Sequence, residues 1–117
     1  MLKYDQLNKL LISNVRDMKA AYDNLCDSTG MCDPHWLYGS ELIPYVIEQL
    51  EKSNDGILKR IFEVIEYIYA HGDRECIYVA NVSIAEPLYD RAFDKYSEKI
   101  ISLCGPVSRK EFVEMLD

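Results

Sequence analysis

AHGDRECIYVANVSIAEPLYD, residues 70–90, is the stretch on which the fold turns. Ile77, Val79, Val82 and Ile84 are β-branched or flank β-branched neighbours, and a strand could use them. The surroundings favour a helix. Ala80, Ser83 and Ala85 are small enough to let another helix approach closely. Gly72 fits the left-handed position that ends a preceding helix. Asp73 fits the N-cap of the next one, and Pro87 ends or kinks it. The spacing therefore predicts a helix over 74–86. The same run places His71, Asp73, Arg74, Glu75 and Cys76 side by side, residues that could equip a hydrolase or a metal site. Capping accounts for each of them: His71 in a last turn facing open carbonyls, Asp73 as the cap, Arg74 and Glu75 in an exposed first turn, Cys76 at the start of a buried face. Adjacency in sequence does not bring a base within reach of a nucleophile.

Working outward, the pattern stays helical. In ILKRIFEVIEYIYAH, residues 57–71, the apolar set Ile57, Leu58, Ile61, Phe62, Val64, Ile65, Ile68 and Tyr69 is too broad for a surface helix. It predicts a central helix covered on more than one side. Upstream, Ser40 starts a helix with Ile43, Val46, Ile47 and Leu50 inward and Pro44 in its first turn. Asp33-Pro34 caps a short turn through residues 36–38. Leu7, Leu10, Leu11, Val15, Met18, Tyr22 and Leu25 recur at steps of three and four, as one long first helix capped by Asp5. Downstream, a helix runs from Tyr89 to Cys104, and CGP stops it. The SRKE spacing at Ser108–Glu111 is that of a capping box for a last helix containing Phe112, Val113 and Leu116. Tyr22 and Tyr96 read as core. The expectation is an all-α single domain, residues 1–117, of six or seven helices. The similar lengths of 41–52, 57–71 and 74–86 fit a HEAT-like stack of helical hairpins, although no repeat has a fixed period.

The totals agree. Hydrophobic residues make up 49 % of 117, enough for one core. No apolar run approaches the roughly 20 residues that span a bilayer. The N-terminus lacks the apolar stretch of a signal peptide, so a cytoplasmic location is expected, with Cys26, Cys32, Cys76 and Cys104 as reduced, mostly buried thiols. The net charge is −7. That argues against direct nucleic-acid binding, which needs cations to meet phosphates, and suits a basic protein partner. Residues 1–40 hold four basic and five acidic residues, and the remainder nine and fifteen. The acidic surface therefore belongs to the middle and C-terminal helices.

Candidate chemistry is sparse. Cys26, Cys32 and His35 have the spacing C-x5-C-x2-H, without the close cysteine pair zinc sites use. Glu48/Glu51 and Glu63/Glu66 are carboxylate pairs at i, i+3, a spacing more often solvated than catalytic. There is no Gly-rich phosphate loop, G-x-S-x-G or H-E-x-x-H. No cofactor, metal ligand or catalytic residue is assigned. The nine tyrosines and one tryptophan are more informative, because exposed Tyr and Trp supply contact area at low entropic cost. Set among carboxylates, they would suit a surface that captures Lys and Arg. The candidate partner-binding residues are Trp36, Tyr38, Glu41, Tyr45, Glu48, Glu51, Asp55, Glu63, Glu66, Tyr67, Glu86, Asp90 and Asp94.

The run FEVIEYIYAHGDRECIYVANVSIAEPLY, residues 62–89, resembles small bacterial immunity proteins of toxin–immunity systems, including contact-dependent growth inhibition. The likeness spans roughly residues 40–90. It lies in a helix ending at a small-charged turn, HGD, followed by an apolar helix with a Ser and a nearby Glu, ANVSIAEPL. The resemblance implies a non-enzymatic binder that neutralises a cognate toxin domain, a basic nuclease above all, by covering its active site or substrate surface. The binding residues named above come from charge and aromatic placement and not from the resemblance. The competing readings are a helical interaction adaptor or regulatory module and, behind it, a small hydrolase using His71.

Overall fold

The apolar spacing that predicts one long first helix is cut at Val15. In the computed structural model, which describes residues 1–30 and 32–115, six helical stretches are present among the described residues, and no strand. They are α1 (residues 4–14, a 3-10 turn Tyr4–Gln6 leading into Leu7–Asn14), α2 (Asp17–Thr29), α3 (34–51), α4 (Asp55–His71), α5 (74–103) and α6 (Pro106–Glu114). The break between α1 and α2 has a local cause. Asn14 donates its side-chain amide back to the Leu10 carbonyl at 2.8 Å, a bond that competes with helix continuation. Val15 then turns extended, at φ −128° and ψ 98°. Lys3, rather than Asp5, occupies the N-cap position of the first turn.

The helix expected over 74–86 is present, and Asp73 caps it by accepting from the Cys76 amide at 3.0 Å. Pro87 does not end it. Residues 80–85 widen into a π-helical turn, and α5 runs on to Leu103, kinked at Tyr96. The same device appears in α3, where residues 37–42 are π-helical and Pro44 follows, so the turn expected near Trp36 and the helix expected from Ser40 are one continuous element. Both cases share a spacing, Ser40-x3-Pro44 and Ser83-x3-Pro87. In a regular α-turn the proline ring would press on the carbonyl four residues back and leave it without a donor. A π-turn reaches one residue further and relieves that crowding.

Helix α4 is central, as its broad apolar face predicts. Leu58, Ile61, Phe62, Val64, Ile65, Ile68 and Tyr69 are buried, and α1, α3, α5 and α6 all pack on it. The helices gather around α4 instead of stacking pair on pair, and the radius of gyration is 13.2 Å, close to the ~13 Å expected of a compact domain this size. The tyrosines in the core are Tyr38 and Tyr69, while Tyr22 and Tyr96 are half-buried. A buried tyrosine needs a partner for its hydroxyl. Tyr38 finds the Leu7 carbonyl at 2.7 Å and Tyr69 finds Asn81 at 2.8 Å.

Three local expectations are corrected. Gly72 is extended, φ −76° and ψ 151°, and not left-handed. It is constrained by space, since a Cβ there would lie 2.6 Å from both the Ile68 carbonyl oxygen and Cys76 Cβ. The extended backbone lets the chain bridge Leu2: Leu2 N–H donates to the His71 carbonyl at 2.8 Å, and Asp73 N–H donates to the Leu2 carbonyl at 3.0 Å. Cys26 and Cys32 form a disulfide with Cα atoms 5.0 Å apart, where four reduced thiols were expected. The left-handed turn at Gly30, φ 71°, folds the connection back so that the two meet. Cys76 and Cys104 are buried thiols, and burial pushes the Cys76 thiol up to about 11. Finally, α6 begins at Pro106, two residues before the expected capping box, and Ser108 is buried inside it. Leu116, assigned to this helix from the sequence, lies outside the described residues.

Candidate functional site

The cap of α6 comes from another helix. Glu66, on α4, accepts from Ser108 N–H at 2.8 Å and Val107 N–H at 3.1 Å. Gly105 leaves the room, for a Cβ there would fall 2.5 Å from Glu66 Cδ. Partial burial pushes the Glu66 carboxyl up, but the bonds from Ser108 and Val107 outweigh it, and the group sits below the usual carboxylate range. Glu66 is thus committed to joining α4 to α6. Tyr38, also a candidate for partner contact, is fully buried at the α3 crossing and unavailable. The sequence predicts only a short turn through 36–38, whereas the segment is part of the continuous helix α3.

The other candidates fall into separate groups. Tyr45 is half-buried and donates its hydroxyl to Asp17, and burial first, then that bond, push its phenol up to about 12. Glu48 pairs with Lys52, and Asp55 with Lys99, each at 2.7 Å. Glu41 is half-buried, and Glu51 and Glu63 are exposed. Trp36 is 42 % and Tyr67 46 % exposed. Glu86, Asp90 and Asp94 remain exposed at i, i+4, i+8 along one side of α5, and among the described residues none of them forms an ion pair. The structure brings Glu86 together with residues outside the candidate set. Glu86 lines a cleft of about 290 Å³ with Glu111 and Glu114 of α6, floored by Ala85 and Met115. Tyr89, 38 % exposed, stands on the same helix and stacks on Phe93, with ring centroids 5.4 Å apart. The i, i+3 spacing of Glu111 and Glu114 was visible in sequence. Their position opposite Glu86 depends on how α6 docks.

Further along α5, Tyr78 is 60 % and Val82 37 % exposed. Tyr78 meets His35 edge-on, centroids 5.6 Å apart, and Tyr4 lies on His35 at 6.4 Å. Burial raises the Tyr4 phenol, and Asp33 and Glu75 raise it further. His35 Nδ1 is 2.7 Å from Ser83 Oγ, a pairing between the α3 N-terminal turn and the π-turn of α5. Ser83 is buried, 6 % exposed, and among the described residues no acid that would orient the His35 ring is hydrogen-bonded to it. The bond instead pins α3 to α5 beside Gly39, where a Cβ would make ordinary contact with Ser83 at 3.6 Å. His71 offers no better constellation. Its ring packs on Tyr67, centroids 4.6 Å apart, and its neighbour Asp73 is engaged as a cap. The hydrogen bond from Cys76 N–H is the main reason the Asp73 carboxyl is lowered. Of the C-x5-C-x2-H spacing, both cysteines are tied to each other and the histidine to Ser83.

Tyr67 and His71 form a wall between two grooves. One, of about 470 Å³, runs between α1 and α4. The other, of about 440 Å³, lies between α4 and residues 103–105 and holds Glu63 and Glu66. Among the described residues no helix is long and apolar enough to cross a membrane. Residues 8–117 match the model of a family described as a domain of unknown function, DUF7674. No curated protein and no solved structure matches the chain.

Proposed function

The chain belongs to the DUF7674 family, and we propose that this member is a non-catalytic binding protein that neutralises a basic partner, the toxin domain of a toxin–immunity pair. The observation that carries the reading is the acidic edge of α5 and α6. Glu86, Asp90 and Asp94 stand in line, Glu111 and Glu114 face Glu86 across a cleft, and none of the five has an ion-pair partner among the described residues. Uncompensated carboxylates on a chain of net charge −7 repel one another. A cationic surface relieves that repulsion on binding. The cleft suits a Lys or Arg side chain, with the stem on Ala85 and Met115 and the charge among the carboxylates. Tyr89 adds a flat anchor beside it. A nuclease gripping phosphates must be basic where it does so, and complementary charge speeds encounter toward about 10⁸–10⁹ M⁻¹s⁻¹ at low salt.

The test is affinity capture from producing cells with the wild-type protein and with the triple variant Glu86→Lys, Asp90→Lys, Asp94→Lys. Bound proteins are identified by mass spectrometry, and the captured partner's activity is assayed. The expected result is one basic toxin domain, held at low salt, lost at high salt and lost by the variant, whose activity the wild-type protein suppresses. A captured protein with no toxic activity shifts the assignment to an interaction adaptor. Capture indifferent to the triple variant rules out the acidic edge as the binding surface.

A cytoplasmic location belongs to the same proposal. The Cys26–Cys32 disulfide runs against it, since reducing compartments disfavour such bonds. Thiol labelling of protein quenched in intact cells decides the matter. Labelled Cys26 and Cys32 uphold the cytoplasm, and blocked ones move the protein to an oxidising compartment.

A further inference from the structure

The groove between α1 and α4 is lined by a lysine and by no carboxylate, on a chain of net charge −7. Acidic residues number 20 in the chain, and none of them lines it. Its charged side chain is Lys9, which has no ion-pair partner among the described residues. Across from Lys9, α4 contributes the imidazole of His71. Ser13 and the side-chain amide of Asn14 lie on the α1 side. One Asn14 N–H is taken by the Leu10 carbonyl, which leaves the other to donate. Tyr67, 46 % exposed and backed by the His71 ring at 4.6 Å, supplies a flat wall, and Leu2 and Leu10 supply apolar ground. Convergent donors at one side of a partly apolar groove, with a volume of about 470 Å³, are the makings of a small-molecule site.

We infer that the groove between α1 and α4 binds a small organic anion, a carboxylate or phosphate monoester carried on a flat apolar body, with Lys9 and His71 toward the anion and Tyr67 against the ring. An ammonium serves here as a point charge that tolerates either anion. The net charge of −7 repels anions at long range, so recognition depends on the lysine and the carboxylate-free lining of the groove. The inference is independent of the proposed toxin partner, because the groove shares no residue with the acidic edge of α5 and α6.

The experiment is a ¹⁵N–¹H NMR titration of the full chain with phenyl phosphate, benzoate and uncharged benzyl alcohol. The expected result is saturable shifts at Lys9, Ser13, Tyr67 and His71 with the two anions and none with the alcohol. Lys9→Gln is expected to weaken the fitted affinity at least about tenfold, the size of one lost charge-assisted contact. Lys59→Gln, on the far side of the Tyr67–His71 wall, leaves it unchanged. Both lysines are exposed, so both variants fold. Non-saturating shifts spread over the chain's other cations overturn the inference, as do equal losses in the two variants or equal binding of the alcohol.

Discussion

The two grooves on either side of Tyr67 and His71 share a wall and differ in how their charges are used. On the α1 side, Lys9 has no ion-pair partner among the described residues and no carboxylate lines the groove. On the far side, Glu63 and Glu66 both border the groove, one turn apart, but only Glu66 is spent, on the two amides that open α6. Two glutamates of one i, i+3 pair thus have different roles, decided by what packs against each. The same contrast separates Glu66 from Glu86, Asp90 and Asp94, which meet no counter-charge. A carboxylate satisfied by backbone N–H groups holds the fold together, and one left in solvent is free to meet a partner.

Breaking the wall at its base carries the largest expected effect. Gly72→Ala drives a Cβ into the Ile68 carbonyl and Cys76, and so disturbs the end of α4, the Leu2 bridge and the start of α5 together. A loss of about 1–3 kcal/mol is expected in urea unfolding, the usual cost of overpacking. Next comes Glu66→Ala, which uncaps α6 and is expected to cost about 1 kcal/mol. Glu63→Ala, its neighbour, should stay within about 0.5 kcal/mol. Equal losses from the two glutamates would show that the cap is not what holds α6.

The pH dependence sharpens the same pair. The folded Glu66 carboxyl titrates below its unfolded value. Its stabilising contribution is therefore complete above the ordinary carboxylate range and is lost as pH falls through the lowered folded value. Asp73, lowered by its Cys76 bond, acts in the same sense. Urea midpoints followed downward from neutral pH should decline less steeply in Glu66→Gln than in wild type, and an unchanged slope would remove Glu66 from the acid response. The smallest expected effect on folding is that of the triple charge reversal at Glu86, Asp90 and Asp94. Thermal unfolding should move by no more than the shift that about 0.5 kcal/mol per site allows, while partner capture is lost. A collapse of stability there would mean that the edge is structural.

Much of this was legible beforehand where the signal is local. Asp33 and Asp73 cap the helices they precede, because an N-cap acts within three residues of itself. Helix α4 was recognisable as central from the width of its apolar face. The exposure of Tyr67 beside Glu63 followed from their positions on that helix. The cap supplied by Glu66 to residues 41 and 42 positions away had no such signal. The nearby SRKE spacing, with Ser108 as N-cap, points to a start three residues late. Tyr38 was misplaced because the chain around it reads as a turn, whereas the π-turn ahead of Pro44 keeps it helical and carries Tyr38 into the core. The two Ser-x3-Pro spacings were the available clue to both π-turns.

By itself, the sequence determined an all-α chain, its central helix, its local caps and a negative charge weighted toward residues 41–117. Those properties arise from periodicity, composition and bonds spanning three or four residues. Only the tertiary structure decided which acids became caps and which stayed unpaired. It also decided which tyrosines were buried, that Cys26 meets Cys32, and that Lys9 faces His71 across a groove lined by no carboxylate. Each of those outcomes depends on groups distant along the chain or on how a turn folds back. No periodicity in the sequence records them, because the energy of such a contact depends on geometry that exists only after the helices have packed.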